Sequence, residues 1–248
     1  ALFGKKHVAD LGIVYDSASA YENAVSEPAA GGTMTYNKVE KVSLKGVEEL
    51  GKQGAFSNQG NFGCFFNLIQ ELSNRHVLYN VLFESEDEPL TAQRLEGYRT
   101  IVVPDAFLMN EKTAEVLNNF VRCGGQVISL ERHIPALKAG KAYTADNVSE
   151  LVERLADEKA FIDAPESLDY GIDLRETLNG FALHIVNYNF NGQTHKIDPL
   201  PALTFGLKIP ASRVKAHCFP ENPGIEIELR AGRLTVENAG IYTVLEIE

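Results

Sequence analysis

Along this chain the spacing of apolar residues changes once, near Pro165, and that change limits what it can fold into. Before it, short β-compatible runs alternate with segments whose apolar residues recur every three to four positions. After it, apolar and polar residues alternate in short runs separated by Gly, Pro and Asn, the pattern of strands with one covered face. Length alone, 248 residues, allows one large domain or two smaller ones. The change of period decides for two, residues 1–162 and 163–248, with the boundary between about Lys159 and Ser167.

In the first part, residues 8–15 (VADLGIVY) read as a strand covered on both faces. The polar stretch from Asp16 to about Ala55, including PAAGG at 28–32, reads as a long loop with one short helix at 47–50. Loops of that length are uncommon in compact domains and are often functional. Phe62, Phe65, Phe66, Ile69 and Leu72 then recur at helical spacing behind a cap at Ser57 or Asn58. Residues 79–84 form a short strand, closed by a solvated acidic loop at 84–88 and Pro89, with a short helix near Thr91. TIVVPD at 100–105 is a third strand, ended by Pro104. Asn110 caps the next helix and Glu111 favours its positive end. Ala114, Leu117, Phe120 and Val121 form its apolar face, and Gly124-Gly125 stop it. A fourth strand at 126–130 and a helix at 148–155 complete an α/β alternation, which implies a parallel sheet with helices on both faces.

In the second part, Asn179-Gly180 lies between LRETL and FALHIVNY and predicts a hairpin through a type I′ turn. THKI, LTFGLKI, RVKAHCF, GIEIEL, RLTVE and IYTVLEIE supply the further strands of a small antiparallel β-sandwich.

Composition excludes several roles. Lys and Arg number 23 against 34 Asp and Glu, a net charge of −11, which argues against phosphate neutralisation and so against a nucleic-acid partner. No run approaches the roughly 18 apolar residues of a membrane span. The absence of Trp weakens a sugar-stacking enzyme cleft. Cys64, Cys123 and Cys218 are too far apart for a zinc ribbon or a disulfide framework. The first six residues have no signal-type apolar core, and the chain starts almost at once with a strand, as an excised piece of a longer chain would.

Residues 62–129 combine a helix, NVLFE, and EGYRTIVVPDAFLMNEKTAEVLNNFVRCGGQVIS. This block resembles the class I glutamine amidotransferase-like domain that follows the catalytic barrel in bacterial glycoside hydrolases such as family-42 β-galactosidases. The residues that carry the resemblance are Tyr98, Pro104, the helix at 110–123, Gly124-Gly125 and Val127-Ile128, with VADLGIVYDS similar to that domain's first strand. LHIVNYNF and the final strands resemble the small sandwich that closes such enzymes. The resemblance implies a flavodoxin-like (amidotransferase-like) α/β domain, a C-terminal β-sandwich, and a homo-oligomer. It also implies an accessory region that borders the active site of a preceding barrel, since nothing here reads as a barrel of its own.

A working amidotransferase needs a cysteine on a sharp turn after the strand that follows Gly-Gly. The position falls at or near Glu131, so that activity is not expected, and Cys123 reads as a small packed residue. Glu131 and His133 leave the C-terminal end of a parallel strand, where ligand sites gather, and Asp16, Ser17 and Asp105 share that edge. These five residues form a candidate polar crevice, and Glu131 to His133 are more simply read as a solvated loop after a strand. DSAS at 16–19 invites a flavin-phosphate reading, against which no helix starts promptly and no glycine is present. QGNFG at 59–63 lacks the Lys-Ser/Thr of a phosphate loop and reads as a helix entry. His184 reads as a hydrogen-bonded sheet residue. His217 and Cys218 point to opposite faces of a strand, and Asn147 reads as a cap rather than a glycosylation site. No catalytic residue, metal or cofactor is expected. The second reading is a small-molecule module, with a sugar, nucleotide or flavin in the crevice.

Overall fold

The computed structural model of the protein describes residues 6–26, 60–138, 140–144 and 147–248. The expected helix at 47–50 and the cap at Ser57 or Asn58 lie outside the described residues. The chain divides into two compact units, each assembled from separated segments. One takes Ala1–Asp10, Gln70–Asn80 and Ser149–Glu248, and the other Leu11–Ile69 and Val81–Val148, through their described residues.

Among the described residues the chain opens with β1 (Lys6–His7), then β2 (Leu11–Asp16), so the strand expected from Val8 starts only at Leu11, after a bend at Asp10. Helix α1 (Ser17–Ser26) follows immediately. The expected loop after Asp16 is therefore helical at its start, because the buried Asp16 carboxylate accepts the Ser19 N–H (3.1 Å) and caps the first turn. Helix α2 (Gly60–Asn74) buries Cys64, Phe65, Leu68 and Leu72, while Phe66 is 41% exposed. Its inner face is rotated from the expected one, as the spacing of 64, 68 and 72 by full turns shows.

Next come β3 (Asn80–Glu84), a single 3-10 turn at Gln93–Leu95 in place of the short helix, β4 (Thr100–Ala106), α3 (Glu111–Arg122), β5 (Gln126–His133) and β6 (Lys141–Tyr143). The sheet order is β3-β2-β4-β5-β6, with β2–β4, β4–β5 and β5–β6 parallel. All seven residues of β4 are buried, as a central parallel strand requires, and Val14, Leu82, Ile101, Val103, Leu117 and Val127 share one core. Two expected strand ends are corrected. β4 runs past Pro104 through a bulge between Pro104 and Ala106, where a missing N–H is tolerated, and β5 continues from Leu130 to His133. Helix α3 starts as read, with Asn110 Oδ1 accepting the Lys112 N–H (2.8 Å), and Gly124 beyond it has φ +96°. Cys123, however, is exposed rather than packed. Glu84 is not solvated: it is buried, and its carboxylate accepts from the Leu90 N–H (2.5 Å) and the Thr113 hydroxyl (2.6 Å).

The other unit adds α4 (Val148–Asp157), β7 (Ile162–Asp163), β8 (Tyr170–Glu176), β9 (Phe181–Asn187), β10 (Phe190–Asn191) and β11 (Lys196–Ile197). It ends with β12 (Leu203–Leu207), β13 (Val214–Phe219), β14 (Glu226–Arg230), β15 (Arg233–Glu237) and β16 (Tyr242–Ile247). A five-stranded sheet, β1-β8-β9-β16-β13, and a four-stranded sheet, β14-β15-β12-β7, are antiparallel, and β10-β11 form a separate ribbon. Leu174, Leu183, Ile185 and Leu245 from the first sheet and Ile162, Phe205, Leu234 and Val236 from the second share one core. The hairpin at Asn179-Gly180 forms, but Glu176 pairs with Phe181 across four linking residues, and only Gly180 of the two turn residues has positive φ. A type I′ turn needs positive φ at both, so the turn type differs from the expected one. His184 Nδ1 bonds the Tyr242 hydroxyl (2.5 Å). His217 meets Glu246 (2.9 Å) while Cys218 is buried against Thr243, on opposite faces of β13. Asn147 accepts from the Thr144 N–H (2.6 Å), closing the turn before α4.

Candidate functional site

The five crevice residues sit at the carboxyl ends of β2, β4 and β5, in the α/β unit. Asp16 and Asp105 are buried, and Ser17, Glu131 and His133 are half-buried. Glu131 and His133 belong to β5 rather than to a loop beyond it, and both are half-buried on either side of the exposed Arg132.

Asp16 is occupied with α1, as its cap. Burial raises its pKa, and the hydrogen bonds from Ser19 oppose that. Ser19, buried in the first turn of α1, accepts the Leu108 N–H on its hydroxyl (2.8 Å), which ties the β2–α1 turn to the segment after β4. Asp105 takes Arg132 in a two-pronged pair, Oδ1 to Nε at 2.7 Å and Oδ2 to Nη2 at 2.8 Å, and Oδ1 also accepts the Arg132 N–H at 3.3 Å. Such fork-to-fork pairs fix orientation as well as charge. The Arg132 guanidinium lies 3.9 Å over the Phe107 ring.

Backbone strain collects at this edge. Asp105 has φ +43° and Glu131 φ +62°, the left-handed region that residues with a Cβ rarely occupy. At Glu131 the strand runs on to His133 and no helix begins, so the strand-to-helix elbow of an activated cysteine is not formed.

A residue that the sequence reading passes over is Cys64 on α2. It is buried, and burial first, then the Asp105 and Glu131 charges, push its thiol up to about 12. A thiol so held stays protonated at neutral pH and is a poor nucleophile. The only sequence signal for its inward position is the spacing 64, 68, 72. His133 keeps Nδ1 buried without a hydrogen-bond partner among the described residues. Among the described residues no group of three or more His, Cys, Asp or Glu side chains is placed to hold a metal ion, and no helix is long and apolar enough to cross a membrane.

The arrangement thus spends charge internally, Asp16 on a helix start and Asp105 on Arg132.

No protein-family model matches the chain, and no curated protein matches it in sequence. Solved structures do match in fold. Alpha-L-fucosidase isoenzyme 2 from Paenibacillus thiaminolyticus superposes with a TM-score of 0.53 at 12% identity, over 98% of this chain and 49% of that one. The beta-galactosidase from Rahnella sp. R3 gives 0.52 at 12% identity, over 98% and 41%. The beta-galactosidase from Bacillus circulans sp. alkalophilus gives 0.51 at 12%, over 97% and 41%. The chain spans less than half the length of each. At such identities the likeness is one of fold: the parts of these glycoside hydrolases that align share this chain's architecture.

Proposed function

We propose that this chain is a non-catalytic accessory and assembly region of a bacterial glycoside hydrolase, mediating self-association and bordering the active site of a catalytic barrel that is not part of it. The observation that carries the reading is the fold likeness over nearly the whole of this chain to less than half of three sugar-cleaving enzymes. The strand order β3-β2-β4-β5-β6, second-first-third-fourth-fifth along the chain, supports the flavodoxin-like, amidotransferase-like form of the α/β unit. The strand-end edge with Asp16, Ser17, Asp105, Glu131 and His133 is the surface we assign to the border. Light scattering over a concentration series is expected to give a closed oligomer, and the pure chain is expected to leave nitrophenyl galactosides and fucosides intact. A monomer throughout overturns the assembly role; released nitrophenol overturns the non-catalytic one.

The left-handed backbone at Asp105 and Glu131 favours a second reading, a small-molecule site in the crevice. A ligand that binds only the native state raises its melting temperature, so a screen of sugars, nucleotides and flavin mononucleotide decides it. No shift with any of them removes this reading.

A further inference from the structure

The sandwich unit has a pocket of about 440 Å³ that the crevice reading does not use. Strand β8 builds its floor. Tyr170 and Leu174 lie in the core, with Ile172 packed against it, so the alternating Gly171, Asp173 and Arg175 project from the outer face of the sheet. On the neighbouring β1, His7 pairs in register with Arg175.

The charged part of the floor is closed on itself. Asp173 Oδ1 lies 2.8 Å from His7 Nε2, and Oδ2 lies 2.6 Å from Arg175 Nε. Burial alone would raise the Asp173 carboxyl, but His7 and Arg175 hold it down to about 2, so it is ionised; its Oδ1 is shut off from solvent, which leaves the Oδ2 side, beside Arg175, to face a ligand. The walls are aromatic. His76 stacks on Tyr170 with ring centres 4.2 Å apart, Tyr79 lines the pocket, and Tyr188, 58% exposed, stands over Gly171. A Cβ at residue 171 would come within 2.8 Å of the Tyr188 ring, so the ring is seated there because residue 171 has no side chain.

We propose that this pocket binds a neutral saccharide, with the Tyr188 ring against the C–H face of a pyranose and the Asp173–Arg175 pair taking adjacent hydroxyls. The volume falls in the range of small-ligand sites, about 300–1,000 Å³, and the lining has their mixture of aromatic wall and few fixed polar groups. The charge balance selects against the alternatives. An anion meets the fixed Asp173 carboxylate and a guanidinium already paired, and a cation finds that carboxylate already neutralised. A hydroxyl-rich neutral ring pairs with both partners without leaving either charge uncompensated. The inference rests on the pocket alone and holds whether or not the chain assembles.

Saturation-transfer NMR on the whole chain with lactose, cellobiose and maltose tests it, with galacturonate as the anionic arm. At least one neutral disaccharide is expected to receive transfer and to bind in the millimolar range. Tyr188→Ala is expected to weaken that binding about tenfold, the scale of one lost aromatic contact. Gly171→Ala, which displaces the ring, is expected to do the same, and Tyr21→Ala, on an exposed ring of the other unit, to change nothing. Absence of transfer to all three sugars overturns the proposal, as does tighter binding of galacturonate or undiminished binding by Tyr188→Ala.

Discussion

Gly180 shows how much one missing side chain decides. Its φ is +152°, and a Cβ there would stand 2.1 Å from the Ile247 carbonyl oxygen on β16, a backbone atom that cannot swing aside as a side chain can. Gly124 also has positive φ, +96°, yet nothing lies within 4 Å of its virtual Cβ. The two positions separate conformational strain from collision. Gly124→Ala is expected to cost about 1 kcal/mol, from backbone strain alone. Gly180→Ala is expected to cost roughly 3 kcal/mol or more, because the β8–β9 turn or the end of β16 must shift. Urea unfolding midpoints measure both, and equal losses would contradict the collision. Cys64 carries a related lesson: burial, with the Asp105 and Glu131 charges adding to it, holds the thiol protonated and so lowers the reactivity that its residue type allows.

Among the elements, those whose boundaries are set locally are legible in the sequence. Helix α3 is read from cap to stop because Asn110 and Gly124 act within one turn of its ends. The TIVV run marks β4 through its β-branched residues, and the strands of the sandwich follow from alternation. What is not legible depends on distant partners. Helix α1 has no apolar period in SASAYEN, and it starts because Asp16 is buried where its carboxylate meets the Ser19 N–H. Strands β1 and β7, two residues each, exist only through their pairing with β8 and β12. At the crevice, the three strand ends are legible but their occupation is not, since the Asp105–Arg132 pair requires a bulge after Pro104 that no residue pattern announces. Arg132→Ala leaves the buried Asp105 carboxylate without its fork. With Arg132 half exposed, the expected loss is about 1–2 kcal/mol, read from the denaturation midpoint, and Asp105→Asn in addition is expected to recover part of it. If the single variant is as stable as the parent, the pair does not hold this edge together.

For the whole molecule, stability should fall as the solution is acidified, in two windows. Burial first, with the Lys159 ammonium adding to it, lowers the His76 pKa from 6.5 to about 4. The unfolded chain therefore takes up that proton first, and the contribution is full above pH 6.5 and lost on the way down to pH 4. It amounts to a few kcal/mol. Asp173, depressed from 3.8 to about 2, contributes above its unfolded value and loses that below it, about 1 kcal/mol after allowing for its partial exposure. His76→Asn, which tolerates the φ of +53° there, should flatten the loss between pH 6.5 and 4. An unchanged slope in urea unfolding across that window would rule His76 out as its source. The division of the chain also sets an order of events during synthesis. β1 leaves the ribosome before the α/β unit, yet its partner β8 lies beyond the whole of that unit. The α/β unit has all its strands by Val148 and can condense while the sandwich still lacks most of its sheets. β1 therefore waits for β8 until the α/β unit has been made, and its pairing closes a long connection, the kind of contact that forms slowly.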